Sequence, residues 1–63
     1  MIRVTISTKD RTIVFPVSER ETVRELLKDK LWWDRRSNRW AGRGDLAEIQ
    51  QILEQAGYTV KMR

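Results

Sequence analysis

The stretch Leu31-Trp32-Trp33-Asp34-Arg35-Arg36-Ser37-Asn38-Arg39-Trp40-Ala41 has two apolar, aromatic arms around a polar centre. That pattern predicts a β-hairpin whose loop is Arg35, Arg36, Ser37 and Asn38. The register then sets Trp33 opposite Trp40 as an aromatic pair and Asp34 opposite Arg39 as an ion pair, each favourable by up to about 1 kcal/mol. Because neighbouring residues of a strand face opposite ways, Leu31, Trp33 and Trp40 point towards a core and Trp32 points away from it.

Outward from this hairpin the periodicity changes twice. Ile2, Val4 and Ile6 alternate with Arg3, Thr5 and Ser7, the period of a half-buried strand, and Ile13, Phe15 and Val17 repeat it over residues 12 to 17. The polar run Thr8 to Arg11 turns a hairpin between them, and Pro16, which has no amide to donate, marks the end or an edge of the second strand. Ser18-Glu19-Arg20-Glu21 has the form of a capping box that starts a helix at Glu19, with Val23, Leu26 and Leu27 as its apolar stripe and Lys28 and Lys30 suited to its negative end. Past the hairpin, Asp45-Leu46-Ala47-Glu48 starts a second helix with Leu46, Ile49, Ile52, Leu53 and Ala56 along one side. Gly57 stops it, and Tyr58 stands where a Schellman-type contact to Leu53 forms. Tyr58, Val60 and Met62 alternate as a last strand. The expectation is one α+β domain over residues 1–63, ordered ββαββαβ, with a mainly antiparallel sheet and two helices on one face.

The chain has 63 residues and neither cysteine nor histidine. A domain of this size buries only about 60% of the surface its unfolded chain exposes, so its core is thin. Disulfides, thiol and imidazole nucleophile chemistry and the usual zinc ligands are all excluded. No apolar run reaches a membrane span, and the first residues alternate instead of forming a signal peptide. The expectation is a cytoplasmic protein that is not an enzyme, needs no cofactor and has no membrane partner. The net charge of +4 is unevenly placed. From Lys28 to Arg43 there are six cations and two anions, whereas the rest of the chain carries seven of each sign, and all three tryptophans lie in the same segment. A focused positive patch of this kind attracts polyanions and makes their binding salt-dependent.

The expected site follows from the alternation. Trp32, on the face away from the helices, is expected among Arg3, Arg39, Lys61 and Arg63, with Arg35, Arg36 and Arg43 on the adjoining loops. Rings on which bases stack, set among cations that track phosphates, are the parts of a single-strand or junction binder. The other reading of Trp32 is a ring that only covers the sheet against the Arg and Lys stems. Trp33 and Trp40 are expected in the core. Gly42-Arg43-Gly44, ahead of a helix, has the look of a phosphate-binding loop, but a tight strand-to-helix turn explains the two glycines better. The partner class is nucleic acid, DNA over RNA; the alternative is a protein-interaction module presenting the same patch to an acidic protein surface.

Trp33-Asp34-Arg35-Arg36-Ser37-Asn38-Arg39-Trp40, followed by Asp45-Leu46 and by Ala56-Gly57-Tyr58-Thr59-Val60, resembles the HARP domains of annealing helicases and the related domains that precede the motor of UvsW-type phage helicases. The resemblance covers roughly residues 22 to 63, with Arg35 standing where that family usually has proline. It implies recognition of forked or distorted DNA by the basic hairpin, in a phage or mobile-element setting for a version without a motor. Residues 1 to 30, through Arg11-Thr12-Ile13-Val14-Phe15-Pro16-Val17 and Glu21-Thr22-Val23-Arg24-Glu25-Leu26-Leu27, resemble the opening of ubiquitin-like β-grasp domains, which implies an adaptor.

Overall fold

Alternation builds the first strand as expected. In the computed structural model, which describes residues 2–63, β1 (Arg3–Ile6) buries Val4 and Ile6 and turns Arg3 to solvent. The chain returns antiparallel as β2 (Thr12–Val14), with Thr5 opposite Val14 and Ile6 opposite Ile13. The Asp10 carboxylate fixes this turn by accepting from the Thr12 amide at 3.1 Å and the Thr12 hydroxyl at 2.6 Å. β2 is shorter than expected. Pro16 diverts the backbone, and Val17 is 82% exposed instead of sharing the core face of Ile13.

The first helix also starts differently. A single 3-10 turn, Val17–Glu19, leads into α1 (Arg20–Leu26), with the Glu19 amide donating to the Pro16 carbonyl at 2.9 Å. No side chain caps α1, so the expected Ser18–Glu21 capping box does not form. The Ser18 hydroxyl lies 3.4 Å from Glu19 Oε2, and the other Glu19 oxygen accepts from the Tyr58 hydroxyl at 2.9 Å. Val23 and Leu27 are fully buried and Leu26 partly so. Lys30, beyond the helix, pairs with Glu48 at 3.4 Å.

The hairpin has the expected register. β3 (Leu31–Asp34) and β4 (Arg39–Gly42) place Trp33 opposite Trp40, Trp32 opposite Ala41 and Asp34 opposite Arg39. Gly42 lies under the second helix, where an added Cβ would sit 2.9 Å from Leu46 Cδ2, 3.0 Å from Ile49 Cδ1 and 3.1 Å from Ile13 Cδ1. Asp45 caps α2 (Leu46–Gln55) by accepting from the Ala47 amide at 2.9 Å. The helix closes in the Schellman geometry anticipated at Gly57: the Tyr58 amide reaches the Leu53 carbonyl at 3.1 Å, the Gly57 amide reaches Glu54 at 3.0 Å, and Gly57 takes φ 99°.

β5 (Thr59–Met62) then lies parallel to β1, and the sheet runs β3-β4-β2-β1-β5 with every other pairing antiparallel. Both helices cover one face. Val4, Ile6 and Ile13 from the sheet meet Val23 of α1 and Leu27 just past its end, Ile49 and Leu53 of α2, and Tyr58. The protein is thus a single α+β domain with five strands and two helices. No helix among the described residues is long and apolar enough to cross a membrane.

Candidate nucleic-acid interface

Strand order decides what surrounds each tryptophan. β3 is an edge strand, and the core gathers over the middle of the sheet, so the aromatic residues of the hairpin extend past the packed centre. Trp40 is only half-buried. Its ring meets Trp33 edge-on with centroids 5.1 Å apart and an interplanar angle of 71°, and it touches Phe15 at 6.1 Å. Trp33 is 43% exposed, more than Trp32 at 39%. The expectation that Trp33 belongs to the core is therefore corrected: it faces the helix side, but at an edge where no helix covers it.

Two hollows meet along β3. A groove of about 710 Å³ separates α1 from the edge of the sheet, with Leu31, Trp33 and Trp40 as its apolar lining and Trp32 also bordering it. Its other wall is Glu21, Arg24, Glu25 and Lys28. Glu21, Arg24 and Glu25 lie at i, i+3 and i+4, which puts them on one side of α1, and Lys28 follows in the turn just past its end. The Arg24 guanidinium sits 5.9 Å above the Trp40 ring centroid, within cation–π range. The second hollow, about 480 Å³, wraps the free edge itself between Trp32, Trp33, Asp34, Arg35 and Arg36. Two exposed indoles and two loop arginines thus border one concave surface.

The turn that presents Arg35 and Arg36 is rigidly held. Asp34 accepts from the Arg36 amide at 3.0 Å and from the Ser37 hydroxyl at 3.0 Å, and Asn38 takes φ 56° to bring the chain back. Asp34 is therefore occupied in shaping the loop. The expected Asp34–Arg39 ion pair gives way to a contact between Arg39 and Asp10 at 3.9 Å, across to the β1–β2 turn.

The structure brings some of the expected residues together and separates others. Trp32, Arg35 and Arg36 share one hollow. Arg39 lies on the same face of the sheet as Trp32, one strand in, but its charge is directed to Asp10. Arg3 and Lys61 belong to β1 and β5, and the far edge is four strand spacings, about 19 Å, from β3. They therefore do not surround Trp32, contrary to the expectation. Arg63 instead meets Arg39, Asp10, Thr5 and Ser7 around a separate shallow hollow of about 240 Å³ on the uncovered face. Arg43 stands at the opposite end of the hairpin ladder from Arg35 and Arg36, exposed, with its amide donating to the Lys30 carbonyl at 2.7 Å. The Gly42 amide is likewise engaged, by the Arg11 carbonyl at 2.8 Å, and the Arg11 side chain donates to the carbonyls of Gly42 and Gly44. These bonds fit the strand-to-helix turn and leave little of a phosphate cradle.

Sequence periodicity missed Trp33 and the α1 wall as linings of these hollows. The spacing of Glu21, Arg24, Glu25 and Lys28 was readable, but that α1 lies beside the edge hairpin was not. Among known proteins, no family model, curated protein or solved structure matches this chain.

Proposed function

We propose that this chain is a nucleic-acid-binding module that holds single-stranded, forked or distorted DNA along the free edge of β3. Trp32 and Trp33 supply stacking surfaces, and Arg35 and Arg36 take phosphates. The observation that carries this reading is the pairing of two large, exposed indoles with two loop arginines around one hollow. Each indole is about two-fifths exposed, which forfeits part of the roughly 1.5–3 kcal/mol that full burial of a large apolar side chain provides, a loss a small domain can ill spare. Stacked bases would cover them, at roughly 1–3 kcal/mol per base. Arg39 and Arg63 on the uncovered face, and Arg43 at the base of the hairpin, extend the positive field without touching the stacking site.

A second reading draws on the same edge. The Arg43 amide bonds the Lys30 carbonyl, so by the alternation of an antiparallel ladder the backbone groups of Leu31 and Trp33 face away from β4. An acidic extended peptide could add there as a sixth strand.

Titration with single-stranded, duplex and forked oligonucleotides at two salt concentrations tests the first reading. Nucleic-acid binding predicts tighter association with the single-stranded and forked forms. Its log-log salt slope should be about −0.7 per neutralised phosphate on a single strand. No association with any oligonucleotide at low salt removes the first reading and leaves the peptide.

A further inference from the structure

The groove between α1 and β3 has a chemistry that the phosphate-and-stacking account does not use. Its floor is aromatic, and its other wall, from α1 and the turn after it, carries two carboxylates, Glu21 and Glu25, and two cations, Arg24 and Lys28. Among the described residues the ion pairs are Lys30–Glu48 and Arg39–Asp10, so none of these four side chains is tied up in an ion pair, and Arg24 alone leans on a ring, that of Trp40. Carboxylates accept hydrogen bonds only, and guanidinium and ammonium groups donate only. The two carboxylates offset the two cations, so the wall has no net charge to draw a phosphate, which leaves the groove open to a base instead of the chain that carries it. The Arg24 guanidinium above Trp40 shows that a flat group can lie over this aromatic floor.

We infer that the groove is a pocket for one unpaired base of a bound single strand, and that guanine is the base it favours. This rests on the nucleic-acid reading above and specifies which base that site selects. Guanine offers two neighbouring donors, N1–H and the N2 amine, which match the two oxygens of a carboxylate. It also offers two neighbouring acceptors, O6 and N7, which match an arginine fork. Thymine has only one ring donor between two carbonyls and no exocyclic amine, so a second carboxylate oxygen is left without a partner. Adenine presents an amine but no second donor beside it. A wall carrying both acceptor-only and donor-only groups over an indole floor therefore complements guanine on two edges. The sugar-phosphate chain leaves the groove over β3 towards Arg35 and Arg36, whose hollow shares Trp32 and Trp33 with it.

The test uses the full chain and fluorescently labelled thymine oligonucleotides that are either uniform or carry one central guanine, inosine, adenine or cytosine. The expected result is that guanine tightens binding over uniform thymine by roughly tenfold or more, the worth of one good bidentate pair. Inosine, which lacks the N2 amine, should fall in between. In E21Q/E25Q, checked for an unchanged circular dichroism spectrum and melt, the guanine advantage should disappear while affinity for uniform thymine holds or rises. If every oligonucleotide binds equally well, the base pocket is overturned while the nucleic-acid reading stands. A guanine preference that survives E21Q/E25Q moves the pocket elsewhere and overturns its assignment to this groove. Should none of the oligonucleotides bind, both proposals fall together.

Discussion

The Tyr58 hydroxyl donates to Glu19 Oε1 across 2.9 Å and so joins the end of α2 to the start of α1, 39 positions away. The bond gives Glu19 a role other than capping, and it holds a buried phenol beside a carboxylate. Burial, then the hydrogen bond to Glu19 and its charge, raise the ionisation of Tyr58 above its ordinary 10.0. Its stabilising contribution is complete below pH 10. Above that the unfolded chain loses the phenolic proton first, and stability falls until the native phenol also ionises. Tyr58→Phe should lower stability near neutrality by about 1.5–3 kcal/mol, as for a hydrogen bond to a charged group, and flatten the alkaline fall. Urea melts of both proteins from pH 7 to 11 measure both effects.

Asp10 works in the opposite direction. The Thr12 hydroxyl and amide, with Ser7, hold its carboxyl down from 3.8 to about 2. Its contribution is therefore present above pH 3.8 and is lost as pH falls towards 2. Asp10→Asn should melt lower than the parent at pH 7 and show a smaller drop between pH 4 and 2. Thermal melts at those pH values decide it, and parallel curves for the two proteins would contradict the assignment.

Gly42 supplies the closest approach of α2 to the sheet. A methyl group there would press on the ends of Leu46, Ile49 and Ile13, all three within 3.1 Å. Gly42→Ala should cost about 1–3 kcal/mol, the usual range for overpacking, which for a domain of this size is a melting shift of several degrees. A melting temperature equal to the parent's would show that the helix moves aside freely.

The tryptophans should separate by exposure. Trp40→Ala removes a half-buried ring that contacts Trp33, Phe15 and Arg24, and should cost roughly 2–3 kcal/mol, below the range for fully buried rings. Trp33→Ala should melt within about 1 kcal/mol of the parent. Its single-strand affinity should drop by about 1–3 kcal/mol, the worth of a stacked base. Calorimetry alongside fluorescence titration separates the two quantities. Normal oligonucleotide affinity in Trp33→Ala would exclude Trp33 as a stacking surface and leave Trp32 alone in that role.

Arg35 and Arg36 project from a loop fixed by Asp34, so their removal leaves the turn intact. Replacing both with Gln should weaken single-strand binding by more than tenfold and reduce the magnitude of the salt slope by roughly 1.4, two phosphates at about 0.7 each. Exposed positions of this kind change stability by about 0.5 kcal/mol or less. Unchanged affinity and slope in the folded variant would place the phosphates on another surface.

Local pattern made much of this fold legible. The 33-to-40 register followed from where Asp34 and Arg39 fall around a four-residue loop, and the Asp45 cap and the Gly57 stop each depend on a few neighbouring residues. The α1 cap was misjudged because Ser18 falls inside a 3-10 turn, Val17–Glu19, and α1 begins only at Arg20, which takes Ser18 off the cap position. The site was less legible for another reason. Alternation correctly placed Trp32, Arg3 and Lys61 on one face, but it says nothing about strand order, and order puts them at opposite sides of the sheet. Trp33 has a core-facing period and an edge position, and only the second determines its exposure.

The parallel pairing of β5 with β1 also sets how the molecule assembles. Arg63 accepts from both the amide and the hydroxyl of Thr8, 55 positions away, whereas the ends of the β3–β4 hairpin are joined by four loop residues. Loop closure over the longer span costs about 2 kcal/mol more entropy than closing the hairpin. The tryptophan hairpin can therefore form early from its own contacts, while the last strand must arrive before the sheet is complete. Topologies dominated by distant pairings fold slowly. Until that pairing forms, β1 has an open edge on the side that β5 later fills, a row of backbone groups on which another chain could pair.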